Sequence, residues 1–431
     1  MPNKNKTFTQ LLSTLPPMVQ PLVRQALASA PPDVRRELQS QMEALQKLTS
    51  SNPAAYADLM AMVKRLAAPA VQPLSKIAIV GSINVGKSTL FNALTAGTSP
   101  KAEVSPVPGT TTVNQNAELG LFNLIDTPGM NHGADSGQQE SQNALDACEE
   151  SDFIIAVFDA TRGITTGDRQ IYGYLTTLDK PFIVALNKID LISAKNRPKI
   201  IASCAASLGL SPEEINPLSA EKRKGVEQLL LAAAANEPRL LGELGKTLPY
   251  LREKLAWQAI RRSAIASGIV TLSPLPIVDF IPLTFIQVTL VITISRIYAQ
   301  PIGKARALEM LGSLGLGFAG RTIFQELIKL GGPPGWAVSA TVGTATTITI
   351  GYCAINWFAK GITPTTDSFK AMGATVQKRL MKMNLFKNRK KPTSQKLQND
   401  IDIPLKHLTE DLSNTPLPPL PDESRESDRK E

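Results

Sequence analysis

The chain has 431 residues, of which 43% are hydrophobic, and a formal net charge of +9. This length allows two to three domains, and the positive charge favours anionic partners such as nucleic acid or an acidic membrane surface. Three scattered cysteines, Cys148, Cys204 and Cys353, exclude a disulfide framework and indicate a reducing compartment. Two histidines, His132 and His407, are too few to build a histidine metal site.

Residues 1–74 are predicted to form a helical N-terminal appendage. Apolar side chains recur there at helical spacing after Pro31 and again after Pro53. We interpret the segment as packing on its neighbouring domain; a dimerisation or partner surface is the alternative. The first twenty residues lack a continuous apolar stretch, so no secretory signal is expected.

Residues 75–238 are predicted to form an α/β domain with a doubly wound, mostly parallel sheet. Short apolar runs of strand length alternate with helical stretches, which is typical of that architecture. Polar clusters follow the runs, and such sheets bind ligands at the carboxyl ends of their strands. The runs span residues 76–80, 119–125, 153–158 and 181–186.

The strongest motif follows the first run, where residues 81–88 read GSINVGKS. This is the G-x-x-x-x-G-K-S phosphate loop of nucleoside triphosphatases, whose glycines let successive N–H groups cradle an anion. Lys87 would place its charge between the β- and γ-phosphates, and the Ser88 hydroxyl would bind Mg²⁺. The following helix adds the positive end of its dipole. The residues expected to contact the phosphates are Gly81, Ser82, Asn84, Val85, Gly86, Lys87, Ser88 and Thr89.

Two further stretches are predicted to act on the γ-phosphate. In the D-T-P-G stretch after the second run, Asp126 would hold the Mg²⁺ shell and the Gly129 N–H would reach the γ-phosphate. Residues 108–112 read PGTTT, and a threonine there would complete the Mg²⁺ shell only when the γ-phosphate is present. Such a segment is ordered by the triphosphate and released after hydrolysis, which makes a switch.

The stretch Asn187-Lys188-Ile189-Asp190 predicts the choice of base. Guanine presents two donors, N1–H and the exocyclic amine, to one carboxylate such as that of Asp190, whereas adenine presents an acceptor at N1. Asn187 and Lys188 would brace this loop. The last polar pair, Ser219-Ala220, follows a further apolar residue, Leu218.

Residues 75–238 resemble an Era-like GTPase of the TrmE/Era/EngA group. The resemblance implies that Thr111 is the switch threonine, among the alternatives Thr110, Thr111 and Thr112, and that the Ala220 N–H binds the guanine carbonyl. The group usually continues with Arg-Asp after this threonine, but here Thr112-Val113 follows, so partner contacts of that loop do not carry over. The stretches that carry the resemblance are 81–88, 108–112, 126–129, 159–165, 187–190 and 219–220.

Two positions bear on the catalytic step. Met130 stands where Ras-like enzymes carry a glutamine that positions water. The resemblance implies that Asn84 helps to bind K⁺ in the place of an arginine finger, and a loop-bracing hydrogen bond is the alternative. His132 is a candidate base because histidine titrates near neutral pH, or else exposed switch surface. The predicted catalytic set is Lys87, Thr111, Gly129 and Asn84.

Residues 239–362 are predicted to form an apolar, all-helical domain associated with a membrane. Prolines and Asp279 interrupt an apolar segment at 265–295, which favours a broken hairpin. The uncharged stretch Gly335–Ala359 has spanning length, with tryptophans near both ends that resemble an interfacial belt. A soluble helical domain is the alternative. The segment resembles a helical domain of unknown function that is fused to Era-like GTPases in bacteria, and the resemblance implies a cyanobacterial source.

Residues 363–391 are predicted to form a basic amphipathic helix, and residues 392–431 a disordered tail. The helix suits an anionic membrane surface, RNA or simple solvation. The tail is rich in Pro, Ser, Asp and Glu and has little to bury.

Together these patterns predict a GTP-hydrolysing switch at the cytoplasmic face of a membrane, with the cytoplasm as the alternative location. Its expected ligands are GTP or GDP and Mg²⁺, with K⁺ as a further candidate. An unidentified protein effector and a dimer remain open. The alternative functions are a ribosome- or RNA-associated GTPase and a membrane-scaffolding or remodelling GTPase. The RNA alternative lacks a recognisable RNA motif and aromatic residues suited to stacking bases.

Overall fold

A computed structural model describes residues 76–95, 121–124, 148–271, 280–303 and 335–382, with isolated positions at 54, 57, 61, 306, 307, 310, 405–408 and 411. These residues fall into two compact units. We call Pro73–Thr247 the α/β unit, and the residues from Leu248 onward, with those before Pro73, the helical unit. The predicted boundary after residue 238 therefore differs by nine residues from the division at Thr247 (247 − 238).

The α/β unit is built on a parallel sheet with the strand order β2-β1-β3-β4-β5. The doubly wound parallel sheet predicted from the apolar runs is thus confirmed. β1 pairs with both β2 and β3, so the chain reverses its direction across the sheet beside β1, where open sheets of this order bind ligands. The strands are β1 (Ile77–Val80), β2 (Phe122–Leu124), β3 (Phe153–Asp159), β4 (Phe182–Asn187) and β5 (Ile215–Pro217).

The bounds of strand β5 were not predicted, because only Leu218, before Ser219-Ala220, marked the end of a strand there. Its three residues, Ile-Asn-Pro, contain a single aliphatic side chain, so they show no apolar run. The strand pairs with β4 through Val184 and Ile215, and the Asn216 side chain adds a 3.0 Å hydrogen bond to the Val184 carbonyl. The chain continues from β5 directly into Ser219-Ala220, so this pair lies next to the end of β4.

Helices cover the sheet and begin at residues that favour helix starts. The second helix has Thr165 as its N-cap in a reciprocal capping box with Asp168. The third has a proline in its first turn and ends at Gly209. The buried core includes Phe158 and Leu186. The helices of this unit are α1 (Lys87–Leu94), α2 (Thr166–Thr177), α3 (Arg197–Leu208), α4 (Val226–Asn236) and α5 (Leu241–Thr247), with 3₁₀ turns at Ile189–Leu191, Pro212–Glu214 and Pro238–Leu240.

The helical unit contains the predicted all-helical C-terminal region. Its helices are α6 (Arg252–Thr271), α7 (Phe280–Ile297), α8 (Gly335–Lys360) and α9 (Thr366–Lys382), preceded by a 3₁₀ turn at Pro249–Leu251. Helices α6, α7 and α8 pack on one another, and α9 packs on α8. The expected break at Asp279 lies outside the described residues. None of the helices that the structure describes combines the length and the mean hydropathy of a membrane-spanning helix.

A buried polar seam joins α6, α7 and α8. The Thr347 hydroxyl lies 2.8 Å from Ser267 Oγ and 2.9 Å from the Gly343 carbonyl, either of which can accept its one proton, and it accepts from Gln287 Nε2 at 3.4 Å. One neighbouring buried threonine bonds within its own helix: Thr349 Oγ1 donates to the Ala345 carbonyl one turn earlier, at 2.8 Å. A hydroxyl that bonds back to a carbonyl of its own helix keeps a partner when it is buried, so a threonine such as Thr349 fits inside this core.

The predicted basic amphipathic helix is present as α9, and its apolar face is already covered. Phe369, Met372, Val376 and Leu380 are buried within the helical unit. Lysines, among them Lys378, remain exposed on the other side.

The predicted disordered tail differs from the structure at a few positions. Residues 405–408 and 411 are helical, and Leu405 and Leu408 are buried. Asp411 pairs with Arg379 of α9 at 2.7 Å. Two leucines three residues apart form a short apolar face, which the polar composition of the segment concealed. Of the N-terminal appendage, the structure describes only positions 54, 57 and 61, all helical.

Candidate nucleotide-binding site

The loop between β1 and α1 has the backbone that a phosphate loop requires. Gly81 and Gly86 have φ angles of +155° and +93°. A Cβ at Gly81 would lie 2.2 Å from the Val157 carbonyl oxygen, and one at Gly86 would lie 2.4 Å from Asn187 Nδ2. Both contacts are shorter than real Cβ atoms make, so the two motif glycines are required by the fold as well as by the ligand.

Lys87 is held against the same loop. Its side chain is buried, and its Nζ donates to the carbonyl oxygens of Gly81 at 2.8 Å and Ser82 at 3.0 Å. Because the ammonium is anchored by backbone oxygens, its charge is placed before any phosphate arrives. Ser88 and Thr89 follow in the first turn of α1, both half-buried, as expected for residues that face a ligand at the helix N-terminus.

Asn187 joins the phosphate loop to the base loop. Its side chain is 2% exposed; Nδ2 donates to the Val85 carbonyl at 2.9 Å, and Oδ1 accepts from the Ala220 N–H at 2.9 Å. One amide therefore contacts both predicted binding loops. The bracing role predicted for Asn187 matches these contacts.

Lys188 braces the phosphate loop from a second side. Its backbone is left-handed, with φ of 62°, and its Nζ donates to the Asn84 carbonyl at 2.6 Å and to Asp159 Oδ2 at 2.7 Å. Asp159 also accepts from the N–H and the hydroxyl of Thr161. Burial raises the pKa of Asp159, but the hydrogen bonds from Lys188 and Thr161 outweigh it, so this pKa lies below its usual value.

Two further side chains, Asp168 and Arg162, touch this loop, and neither was assigned a role from the sequence. Asp168 Oδ1 accepts from the Ser82 hydroxyl at 2.6 Å while its other oxygen caps α2. Arg162 lies 3.5 Å from Asp159 and donates to the Ile83 carbonyl at 3.4 Å. The capping-box spacing from Thr165 to Asp168 was a readable signal for the helix start. It did not reveal the contact with the loop.

At the base end, Asp190 follows β4 and is paired. Its Oδ2 lies 2.9 Å from Lys222 Nζ. Hydrogen bonds from Lys222 and Ser219 lower the pKa of Asp190, which is ionised at neutral pH. Backbone hydrogen bonds between Ser219 and Lys224, at 2.8 and 3.0 Å, close the loop that carries these groups.

The switch side of the predicted site lies outside the described residues. This applies to Thr111, Asp126 and Gly129, and also to Met130 and His132. Within the described part of the chain, no group of three or more His, Cys, Asp or Glu side chains forms a metal site. Of the predicted Mg²⁺ ligands, the structure places Ser88, whose hydroxyl suits a hard cation bound together with phosphate oxygens.

Asn84, the predicted K⁺ ligand, lies at the tip of the phosphate loop. Its backbone is left-handed, with φ of 64°, and its side chain is exposed. Its carbonyl braces the loop through Lys188. The side chain has no hydrogen bond to another residue within the described ranges. The hydrogen bond that braces the loop at Asn84 is therefore made by its backbone carbonyl and not by its side-chain amide.

Comparison with known proteins identifies two families along the chain. Residues 76–188 match the family described as a 50S ribosome-binding GTPase. Residues 236–384 match a domain of unknown function, DUF697. The first match lies within the α/β unit, and the second begins near the end of that unit and includes the helices α6 to α9.

The chain is similar to the GTPase Der of Geobacter sp. (strain M21), with 34% identity over 195 residues, 44% of this chain and 40% of that protein. It is similar to the GTPase Der of Kosmotoga olearia, with 35% identity over 167 residues, 36% of this chain and 37% of that protein. It thus spans about two fifths of these relatives. Among solved structures, Aquifex aeolicus Era bound to GDP and AlF4⁻ is 30% identical over 46% of this chain and 68% of that one, with a TM-score of 0.32.

Proposed function

We propose that this chain, whose P-loop GTPase domain is homologous to those of Der and Era and whose C-terminal part is a DUF697 domain, is a GTP-driven molecular switch that works at a membrane. The homologous domain is that of a GTP-hydrolysing enzyme. The reaction proposed for this chain is GTP and water to GDP and phosphate. The switch would be a change in the conformation of residues 108–112 when the γ-phosphate is lost.

The observation that carries the nucleotide proposal is the double contact of Asn187. Its amide ties the Val85 carbonyl of the phosphate loop to the Ala220 N–H of the base loop. A phosphate-binding element and a base-binding carboxylate, Asp190, are therefore parts of one braced structure. This supports a ligand that has both phosphates and a guanine-like pair of donors.

Different residues of the chain would bind the phosphates, the base and the metal ion. The N–H groups of the phosphate loop and the Lys87 ammonium would bind the phosphates, and Asp190 would bind N1–H and the exocyclic amine of guanine. Ser88, with Thr111 and Asp126, would hold Mg²⁺, which supplies positive charge to the phosphate oxygens when it is bound. Lys188 and Asp159 hold the loop in the shape that this binding requires.

The catalytic proposal includes K⁺. Met130 has no group that can orient water, so the intrinsic reaction should be slow. Charge beside the transferring phosphoryl group is commonly the largest catalytic contribution, and the exposed Asn84 amide at the loop tip is available to help bind a monovalent cation. The resemblance to relatives that bind K⁺ supports this assignment.

The membrane proposal is supported by charge. The apolar side of α9 is buried, which leaves lysines such as Lys370, Lys378 and Lys382 exposed on the other side. A further basic stretch, KNRKK, follows at residues 387–391. Each cation near an anionic leaflet adds about 1 kcal/mol of attraction. We propose the cytoplasmic face of a membrane as the location, because GTP is available there.

The name of the matched family, which mentions the 50S ribosome, favours the rival function of a ribosome-associated GTPase. A membrane-scaffolding GTPase is a second rival. An effector protein, a dimer and a cyanobacterial source stay predictions of the sequence.

The nucleotide proposal is tested with the full chain. Binding of GDP, GTP, ADP and ATP is measured by calorimetry with Mg²⁺ present, and phosphate release is followed separately. We expect tight guanine-nucleotide binding that Lys87→Ala abolishes. Equal affinity for ADP and GDP would refute the proposal.

The location is tested by flotation with vesicles of neutral lipid and of neutral plus anionic lipid, and by sedimentation with ribosomes. We expect binding to the anionic vesicles that weakens as salt rises, because exposed charges are screened. Sedimentation with 50S particles, with no vesicle binding, would favour the ribosomal rival. A GTPase rate that rises with protein concentration on vesicles would favour scaffolding.

A further inference from the structure

The carboxylate that is expected to select guanine already has a cationic partner within the chain. Lys222 Nζ lies 2.9 Å from Asp190 Oδ2, and the lysine side chain is 54% exposed while that of Asp190 is 10% exposed. Guanine has two adjacent donors and uses both oxygens of a carboxylate. A bound guanine would therefore use the Oδ2 oxygen that this ammonium already contacts.

The loop around Lys222 holds the lysine in place for this contact. The Lys222 N–H donates to Ser219 Oγ at 3.2 Å, and the backbones of Ser219 and Lys224 are paired in both directions. Arg223, between the two lysines, has a left-handed φ of 53°. The backbone of Lys222 is thus fixed beside the base loop, while its exposed side chain can move into water when a ligand arrives.

We propose that Lys222 is a specificity-determining residue that competes with guanine for Asp190, so that the chain releases guanine nucleotides more readily than its base loop alone would allow. The proposal rests on the nucleotide-binding function proposed above. Lys222 acts only through Asp190 and takes no part in the chemical step. Binding of the nucleotide must break the ion pair between Lys222 and Asp190, which lowers the affinity. The ion pair forms again when the nucleotide is released.

The number of donors on the base distinguishes this role from a structural one. On this proposal guanine displaces Lys222 because it uses both oxygens, whereas hypoxanthine has N1–H but no exocyclic amine and uses only one. Removal of the ammonium should therefore strengthen binding of GDP and leave binding of inosine diphosphate unchanged. A loop that had merely lost its shape would weaken both nucleotides.

The experiment compares the full-length native protein with Lys222→Ala, Lys222→Arg and the control Lys224→Ala. The control removes the same charge from an exposed side chain two residues away. Dissociation constants for GDP and inosine diphosphate are measured by calorimetry at low salt, with the GDP dissociation rate measured in parallel.

We expect Lys222→Ala to bind GDP about two- to fivefold more tightly, which corresponds to the energy of an ion pair with an exposed partner. The gain should appear as slower GDP dissociation and should shrink at high salt. Lys222→Arg and Lys224→Ala should behave like the native protein.

Unchanged or weaker GDP binding by Lys222→Ala would overturn the proposal, and so would an equal gain for inosine diphosphate. These outcomes are separate from failure of the nucleotide-binding function itself. That failure would appear in the native protein as a lack of preference for GDP over ADP.

Discussion

Asn187 Nδ2 donates to the carbonyl oxygen of Val85 at 2.9 Å, across 102 residues of sequence. This hydrogen bond is buried, and the other atom of the same amide accepts from Ala220. A single side chain thus sets the position of the phosphate loop relative to the base loop. Both the stability of the α/β unit and its affinity for nucleotide should therefore depend on the Asn187 side chain.

The first prediction follows from that contact. Asn187→Ala leaves the Val85 carbonyl and the Ala220 N–H without their partner, at a cost of about 1–3 kcal/mol for each buried group. We expect a lower melting temperature of the α/β unit and a loss of nucleotide affinity of tenfold or more. Differential scanning calorimetry with and without GDP measures both effects.

Asn196→Ala is the matched control for this prediction. Asn196 is exposed, and its side chain does not cap the helix that it precedes. The control should therefore melt and bind like the native protein. If both variants behave alike, the Asn187 bridge does not couple the loops.

The second prediction concerns the base. Asp190→Asn replaces a pure acceptor by an amide with one acceptor and one donor group. GTP should lose affinity by a factor of a hundred or more, since one guanine donor then meets another donor and a charge-assisted bond is lost. Xanthosine triphosphate, whose base presents a carbonyl in place of the amine, should gain affinity.

Competition between the two nucleotides on both proteins measures this exchange of preference. Loss of GTP binding without any gain for xanthosine triphosphate would contradict direct pairing of Asp190 with the base. It would indicate that the substitution acts on the fold of the loop.

The third prediction concerns the monovalent cation. If Asn84 helps to bind K⁺, the rate of GTP hydrolysis should be higher in KCl than in NaCl at equal ionic strength. Asn84→Ala should remove the difference and should not lower the rate in NaCl further, because no bound ion is lost there. Equal native rates in the two salts would exclude the K⁺ role.

The sequence was a good guide wherever the signal was local. The apolar runs predicted four of the strands because burial on both faces of a parallel sheet demands continuous apolar residues. The motif positions Gly81, Gly86 and Lys87 were found because they belong to one short, continuous loop whose spacing is visible in the sequence.

The contacts that brace the site were not predictable in this way. Ser82 meets Asp168 across 86 residues, and Lys188 meets Asp159 across 29. Neither pair leaves a periodic pattern, because the pairing follows from the order of the strands. Asp190 was identified for its chemistry, but its partner Lys222 is visible only once the loops are placed in space.

The fourth prediction uses the pKa of Asp159, which lies below its usual value because hydrogen bonds from Lys188 and Thr161 outweigh the effect of burial. A carboxyl whose pKa is lowered in the folded state adds stability above its ordinary pKa and loses it as the pH falls through the lowered value. Asp159→Asn should therefore be less stable than the native protein at neutral pH, and the difference should disappear in acid.

Melting temperatures of both proteins are compared from pH 7 into acid below the ordinary pKa of aspartate, where Asp159 becomes protonated and loses its charge while Lys188 stays charged. Glu213→Gln, which alters an exposed glutamate of the same unit, is the control. A difference between native protein and Asp159→Asn that stays constant across this range would show that the carboxylate charge does not stabilise the fold.

The fifth prediction tests the polar seam of the helical unit. Thr347→Val keeps the shape of the side chain and removes the hydroxyl that accepts from Gln287 and lies within hydrogen-bond distance of Ser267 and of the Gly343 carbonyl. The buried Gln287 amide then loses this partner, at a cost of about 1–3 kcal/mol. The control is Thr349→Val, because the Thr349 hydroxyl donates to a carbonyl of its own helix, that of Ala345, and its loss leaves no side chain of another helix without a partner.

Thermal unfolding of the full chain measures the difference between the variants. The relevant transition is that of the helical unit, which GDP should not shift because GDP is expected to bind the α/β unit. We expect Thr347→Val to lower the midpoint by several degrees, in line with about 1 kcal/mol per few degrees for a unit of this size, and Thr349→Val to leave it nearly unchanged. If the two valine variants unfold at the same temperature, the hydrogen bonds between Ser267, Gln287 and Thr347 add nothing to the packing of α6, α7 and α8, and shape alone holds the three helices together.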